Sequence, residues 1–240
     1  TGVLGVPVFG QDEPVYPVYD GFHVTDEGLY VLSYAYFSHN FEPVTVPVGP
    51  DNRFESPMID RQQPVTFLPG HHRFQCVMVW GPGFDRELRW TVNHAGVTTT
   101  TSDDMLQYNW ELEAGSLRNV LRDIDPSAVP QGVCLNRSPT VRFLGLRSGP
   151  EGAAPELVAT LGRPLKLFGS TRDEGLPRAG TLEAQWRVLS GPGVVTFSAP
   201  DEPRTLASFD TPGVYKLELW ANDGEKQGTN QVIVSVEPER

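Results

Sequence analysis

Short segments in which apolar and polar positions alternate, each closed by a turn, recur along most of this chain. In HRFQCVMVW (72–80), for example, Phe74, Cys76 and Met78 occupy every second position. Because successive side chains of a strand point to opposite faces, this pattern predicts antiparallel strands that are buried on one face. The 24 glycines and 22 prolines separate such segments with turns, as at Gly81-Pro82-Gly83. We therefore predict an all-β fold.

The strand segments fall into two series, which predicts two β-sandwich domains. Single domains cluster near roughly 100–150 residues, and the chain has 240. We place the first domain at 19–104 and the second at 139–240. The first series comprises 29–40, 43–49, 64–69, 72–80 and 87–102. The second series has seven or eight strands in about a hundred residues, a count that suits an immunoglobulin-like sandwich.

Residues 105–138 interrupt the strand pattern and are predicted to be a linker with one short helix. From Ser116 to Ile124, Leu117, Val120 and Leu121 follow the spacing of one helical face. Ser116 is a residue type that favours the position before the first helical turn.

The first eighteen residues are predicted to be an extended N-terminal segment. Prolines at 7, 14 and 17 exclude a helix there. The apolar side chains of Val3, Leu4, Val6, Val8 and Phe9 could complete a sheet edge of a neighbouring copy by β-strand addition. Alternatively, the segment packs along its own domain.

The second half resembles the polycystic kidney disease (PKD) and related immunoglobulin-like repeats of surface proteins. The resemblance lies in WRVLSGPGVVTF (186–197), ASFDTPGVYKLELWANDG (207–224) and the closing VIVSV. It implies that Trp186 fills the core and that the turn before Tyr215 leads into the penultimate strand. Such modules act as spacers, adhesins and enzyme appendages, so the resemblance indicates a fold and no single function.

The first half, including PVYDGFHVTDEGLYVLSYAYFSHN and VPVGPDNRFES, is similar to a poorly characterised exported bacterial β-domain that precedes such repeats. This similarity implies a bacterial, secreted or cell-surface protein. The chain begins at Thr1 without a methionine, which agrees with removal of a signal peptide or of a tag.

Two cysteines, Cys76 and Cys134, are present. They form either one disulfide in an oxidising compartment or two buried thiols. A bridge would tie the predicted linker back to the first domain.

The formal charge of −11 argues against nucleic acid as a partner, because such a surface repels phosphate. No run of eighteen apolar residues is present, so we predict no membrane span.

The sequence offers no familiar catalytic or metal-binding motif, and we expect no enzyme activity and no cofactor. His71 and His72 are neighbours that would point to opposite faces of a strand, and the other histidines are scattered. Calcium is the one cofactor that the sequence leaves open. Its oxygen ligands could come from acid pairs in turns, or from Asp223, although no pair has the spacing of a calcium loop; the pairs are Asp51 with Glu55, Asp103 with Asp104, and Asp201 with Glu202.

Aromatic residues could form a stacking surface for sugars, although core filling explains most of them. Tyr108 and Trp110 lie outside the strand alternation and are the candidates for exposed contacts.

These features predict a non-enzymatic structural protein that self-associates into a cell-surface or fibrous assembly through its N-terminal segment. The alternatives are an adhesion module that binds polysaccharide or protein, and the accessory part of a secreted hydrolase.

Overall fold

A computed structural model of the chain describes residues 12–85, 88–101, 105–147 and 152–239. The chain divides into two compact units, Thr1–Leu135 and Asn136–Arg240. Both are built of strands, and the prediction of an all-β fold with one short helix is confirmed.

The described residues of the first unit form three small sheets. The strands are β1 (Val15–Val24), β2 (Tyr30–Ser38), β3 (Val44–Thr45), β4 (Asn52–Phe54), β5 (Thr66–Phe67), β6 (Gly70–Trp80), β7 (Trp90–His94) and β8 (Val97–Thr100). The sheet orders are β1-β2-β6, β4-β7-β8 and β3-β5, and all pairs are antiparallel.

An aromatic cluster joins the two three-stranded sheets. Tyr34 on β2 lies edge-on to Phe54 on β4, with ring centroids 5.2 Å apart, and Phe54 stacks on Trp90 of β7 at 5.8 Å. All three side chains are fully buried. Since the rings come from facing sheets, the first unit is a β-sandwich.

Strand β1 changes the predicted extent of the N-terminal segment. Val15 is fully buried and pairs with Ser38 of β2, so the end of the 1–18 segment belongs to the first unit's own sheet. Pro17 is tolerated because β1 is an edge strand of that sheet, where one side of the backbone needs no partner.

The single strand predicted over 87–102 is a hairpin of β7 and β8. The chain reverses at Ala95 and Gly96, whose φ angles of 54° and 73° are both positive. Two consecutive positive φ angles are typical of the tight turn that joins hairpin strands. Gly96 was the sequence signal for this turn, and the threonine-rich run that follows it obscured the signal.

Residues 105–135 belong to the first unit, which differs from the predicted linker 105–138. Helix α1 spans Ala114–Val120, so it begins two residues before Ser116 and ends before Ile124. Val120 and Leu135 are buried in a cluster with Val31 and Val77 of the sheet. The apolar face that predicted a helix therefore packs on the first sandwich, and packing makes the segment part of that domain.

The described residues of the second unit form two four-stranded sheets. The strands are β9 (Thr140–Phe143), β10 (Glu156–Thr160), β11 (Leu165–Arg172), β12 (Glu183–Ser190), β13 (Val195–Phe197), β14 (Arg204–Phe209), β15 (Gly213–Asn222) and β16 (Gln227–Glu237). The sheet orders are β10-β16-β15-β12 and β13-β14-β11-β9.

This pairing is that of an immunoglobulin-like sandwich. The first strand, β9, pairs with β11, and the chain then crosses to the other sheet, where β10 runs parallel to the last strand, β16. The third and sixth strands therefore lie in one sheet, and the fourth, seventh and eighth lie in the other. The prediction of a PKD/immunoglobulin-like second domain is confirmed.

Trp186 and Tyr215 define the core of the second unit. Trp186 on β12 is 3% exposed and stacks on Phe143 at 5.6 Å between ring centroids, as the resemblance implied. Tyr215 is fully buried, and its hydroxyl donates a 2.7 Å hydrogen bond to the carbonyl of Thr211. A buried tyrosine that bonds back to the preceding corner is a feature of immunoglobulin-like sandwiches.

Candidate functional site

An apolar groove opens on the second unit where the chain crosses from β9 to β10. We call it the edge groove, and six of its lining residues carry the argument: Phe143, Leu144, Leu146, Leu157, Leu167 and Phe168. Leu144 and Phe168 are 46% and 51% exposed, whereas Leu167 at the bottom is buried. Lys166 also lines the groove, and exposed apolar side chains beside a buried apolar floor make it a candidate contact surface.

Strand β10 borders this groove and is an edge strand. Among the described residues, it pairs on one side only, with β16, and Val158 in its middle is 65% exposed. An unpaired strand edge offers backbone donors and acceptors to an added strand. The unpaired edge of β10 and the edge groove are the two features, a backbone edge and a side-chain groove, on which strand addition depends.

The residues predicted to supply such a peptide lie outside the described residues. These are Val3, Leu4, Val6, Val8 and Phe9. The described chain begins at Asp12, and β1 begins three residues later.

Tyr108 and Trp110, the predicted exposed aromatic contacts, occupy different environments on the first unit. Tyr108 is 88% exposed. Trp110 is half-buried, and its ring meets the ring of buried Tyr19 edge-on at 5.7 Å. Of these two residues, Tyr108 is the one with an exposed aromatic face.

Cys76 and Cys134 are joined by a disulfide that closes a sequence separation of 58 residues. Both ends lie within the first unit. Cys134 also donates its backbone N–H to the carbonyl of Arg61, at 2.6 Å. The bridge therefore fastens the end of the first unit to β6 and not one domain to another.

A buried cluster of polar side chains lies in the second unit, around the start of its chain. The backbone N–H of Arg137 donates a 2.5 Å hydrogen bond to Glu174, and the two side chains form an ion pair at 3.4 Å. Arg137, Glu174 and Asp223 are each at most 6% exposed. No local sequence pattern predicts this cluster, because its members are far apart along the chain.

Burial controls the ionisation of the acids in this cluster. Burial raises the pKa of Glu174 to about 7, although the positive charge of Arg137 opposes the rise. Burial also raises the pKa of Asp173 to about 6, and the negative charge of Asp223 adds to that rise. The environment therefore disfavours the fully charged state of these carboxylates.

The other acids considered as calcium ligands have partners or face solvent. Asp51 accepts a hydrogen bond from Asn93, and Glu55 forms an ion pair with Arg89. Asp201 and Glu202 are exposed, and Asp103 and Asp104 lie outside the described residues.

Over the part of the chain that the structure describes, no three histidine, cysteine, aspartate or glutamate side chains are grouped to hold a metal ion. His71 is exposed, and His72 stacks on Tyr36 with ring centroids 4.9 Å apart. No described helix has the length and apolar character needed to cross a bilayer.

Comparison with protein families gave no match. Among solved structures, the chain is similar to the PKD domain of human KIAA0319, with 18% identity and a TM-score of 0.32 over 47% of this chain and 93% of that one. It is similar to fibronectin(III)-like modules of Clostridium thermocellum CbhA, with 12% identity and a TM-score of 0.28 over 92% and 94%.

An endo-fucoidan hydrolase from glycoside hydrolase family 107 is similar over 94% of this chain and 30% of its own length, with 11% identity and a TM-score of 0.30. These identities and TM-scores carry no functional argument. The fold therefore rests on the strand order and pairing described above.

Proposed function

We propose that this chain is a non-enzymatic structural subunit that assembles by strand donation. Residues 3–9 of one copy add to β10 of the next copy and place their apolar side chains in its edge groove. The observation that carries the proposal is the unpaired edge of β10 beside a groove rimmed by Leu144 and Phe168.

The donor sequence has the character that such a groove requires. Leu4, Val6 and Val8 occupy alternate positions, so in an extended chain they share one face. Pro7 lacks an N–H, and it is tolerated at the outer side of an added edge strand, where that group would face solvent. The donor therefore places these three side chains on the face that meets the groove. Its outer backbone edge, which carries Pro7, becomes the new edge of the acceptor's sheet.

The energetics predict a contact of moderate strength. Burying an apolar side chain of this size contributes roughly 1.5–3 kcal/mol, and the donor presents three of them on one face. Association itself costs roughly 4–15 kcal/mol. The two magnitudes are similar, so main-chain hydrogen bonds to β10 and a high local concentration of subunits decide whether the assembly forms.

The geometry of the contact determines what is assembled. Donor and acceptor are different surfaces of the same chain, so each added copy leaves one donor and one acceptor unused. Such head-to-tail contacts extend into a fibre unless the rotation between copies closes a ring.

Sedimentation velocity of the full chain at increasing concentration tests the proposal. We expect assembly in the unaltered chain and a monomer in the Val6→Asp/Val8→Asp variant. Leu189→Asp is the matched control, because Leu189 is also exposed but lies on β12, at the opposite edge of the sheet from β10. A chain that stays monomeric at every concentration contradicts the proposal.

We place this function outside the cell or at the cell surface, in keeping with the exported bacterial domains that the first half resembles. The disulfide between Cys76 and Cys134 supports this location, because disulfides persist in oxidising compartments. Intact-mass measurement of protein from its native source, before and after reduction, checks it. A fully reduced native protein contradicts the proposed compartment.

Exposed Tyr108 favours a second candidate function, adhesion to polysaccharide or protein. An aromatic face that is free in solvent can stack on a sugar ring. A glycan array tests this candidate, with Tyr108→Ala expected to abolish any binding that is found. Tyr108 is preferred over Trp110 for this test, because replacing Trp110 also removes its contact with Tyr19.

A further inference from the structure

Among the described residues of the second unit, three side-chain oxygen atoms are buried without a hydrogen-bond partner. They are Oδ1 of Asn136, Oδ1 of Asp173 and Oδ2 of Asp223. Asp223 is only 2% exposed, so solvent does not reach its carboxylate freely. All three atoms are of the acceptor type, so they cannot satisfy one another by hydrogen bonding.

The orientation of each side chain is fixed by its other polar atom. Asn136 donates from Nδ2 to Glu225 at 3.1 Å, and Asp173 accepts from the backbone N–H of Gly175 at 2.8 Å. Oδ1 of Asp223 accepts from the backbone N–H groups of Glu225 and Lys226, both at 2.7 Å. Exchanging the amide oxygen and nitrogen of Asn136 would not satisfy both atoms, because it would remove the hydrogen bond to Glu225.

These side chains belong to three segments that meet at one end of the sandwich. Asn136 is joined to the β15–β16 turn through Glu225, and Asp223 lies in that same turn. Asp173 opens the β11–β12 loop beside Glu174, which accepts a hydrogen bond from the backbone N–H of Arg137, the residue after Asn136. Gly180 of the same loop lies against the carbonyl of Asp223, where a Cβ would collide with it.

Neither Arg137 nor Arg178, the arginine of the β11–β12 loop, donates a hydrogen bond to these oxygens. Arg137 instead pairs with Glu174, at 3.4 Å. None of the three orphan oxygens accepts a hydrogen bond from Arg137 or from any other described group. Buried carboxylate oxygens without donors are costly, and native proteins relieve that cost with a proton, a water or a cation.

We propose that Asn136, Asp173 and Asp223 ligate one calcium ion through these three oxygens. Calcium takes six to eight oxygen ligands, including amide and backbone carbonyls and water, so two carboxylates suffice. The absence of nitrogen and sulfur ligands argues against zinc, and the loop-borne ligands suit calcium better than the rigid octahedron of magnesium. The ion ties the start of the second unit to its β11–β12 and β15–β16 loops.

The dispersed positions of these residues explain why no calcium motif is visible in the sequence. A calcium loop draws its ligands from one short segment, whereas these come from residues 136, 173 and 223. Only the fold brings them to one end of the sandwich.

Isothermal titration calorimetry of the full chain with calcium chloride, after treatment with a chelator, tests the site. We expect one ion per chain, with a dissociation constant of about 10⁻⁴–10⁻³ M. Asp173→Asn and Asp223→Asn should each weaken binding at least tenfold. Both variants keep the oxygen that accepts the backbone hydrogen bonds, so the loops should still fold.

Asp201→Asn is the matched control, because Asp201 is an exposed turn acid of the same unit, and it should leave binding unchanged. Hydrogen exchange of the unaltered chain gives a second measurement that needs no variant. Calcium should slow exchange at the amides of 173–176 and 223–226. No binding heat up to 10 mM calcium (about ten times the weakest expected dissociation constant), or binding that both variants retain, would overturn the proposal.

Discussion

The hydroxyl of Tyr215 makes one hydrogen bond, to the carbonyl of Thr211, in an otherwise apolar core. Tyr215→Phe removes that bond and leaves the ring in place. We expect the second unit to lose about 0.5–1.5 kcal/mol of stability, the usual net value of one such bond. Urea denaturation measures it. Tyr108→Phe is the control, since the hydroxyl of Tyr108 is on an exposed ring. An equal loss in both variants would contradict a specific role for the hydrogen bond between Tyr215 and Thr211.

Individual residues differ in how well their places could be predicted from the sequence. Trp186 was predicted inside the second sandwich, because a family resemblance and strand alternation agreed. Asn52 follows the turn sequence Gly49-Pro50-Asp51, yet it is buried. Its amide donates to the carbonyls of Val46 and Pro64 and accepts from the indole of Trp90. A polar residue that links segments distant in sequence has no local pattern, so only the fold identifies it.

At the scale of elements, the disulfide is the strongest single constraint on the first unit. It closes a loop of 58 residues between β6 and the end of the unit. Replacing both Cys76 and Cys134 with Ser should therefore lower the free energy of unfolding by about 2–4 kcal/mol. Guanidinium denaturation of the two proteins measures the difference. Equal stability would show that the loop is held by packing alone.

Close packing of β1 on the segment after the 3-10 turn (Tyr108–Trp110) gives a second test at this scale. A Cβ at Gly21 would collide with the carbonyl of Trp110, and Gly21 has a φ of +134°. We expect Gly21→Ala to destabilise the first unit by more than about 1 kcal/mol, by strain at a special backbone position. Gly115→Ala in α1 is the control, with open space around its Cβ, and should be neutral or slightly stabilising. Thermal unfolding distinguishes the two.

The same contact explains why the linker prediction for 105–138 did not match the structure. A short helix among turn residues looks like a connection when only local pattern is considered. Leu112 donates its backbone N–H to Phe22 of β1 at 2.7 Å, and Val120 is fully buried. Those contacts span about ninety residues of sequence, and no local periodicity encodes them. The strands themselves were largely predictable, because alternation and turn residues are local signals.

At the scale of the whole molecule, the fold class and the immunoglobulin-like second unit could be predicted from the sequence. The grooves and strand edges on the surface of that unit could not. The edge groove arises where β9 ends in one sheet and β10 begins in the other, and its residues come from separate strands. The sequence identified an apolar N-terminal segment that could complete the sheet edge of a neighbouring copy. The structure contributes an apolar groove beside an unpaired strand edge, and self-association by strand donation stays a proposal.

Mixing two complementary variants of the full chain tests that proposal most directly. Val6→Asp/Val8→Asp disables the donor segment, and Val158→Lys/Phe168→Ser disables β10 and the edge groove as acceptor. We expect each variant alone to be a monomer by sedimentation velocity. An equimolar mixture should form heterodimers that grow no further, because only one intact donor and one intact acceptor remain per pair. A mixture that stays monomeric, or either variant assembling alone like the unaltered chain, would contradict strand donation.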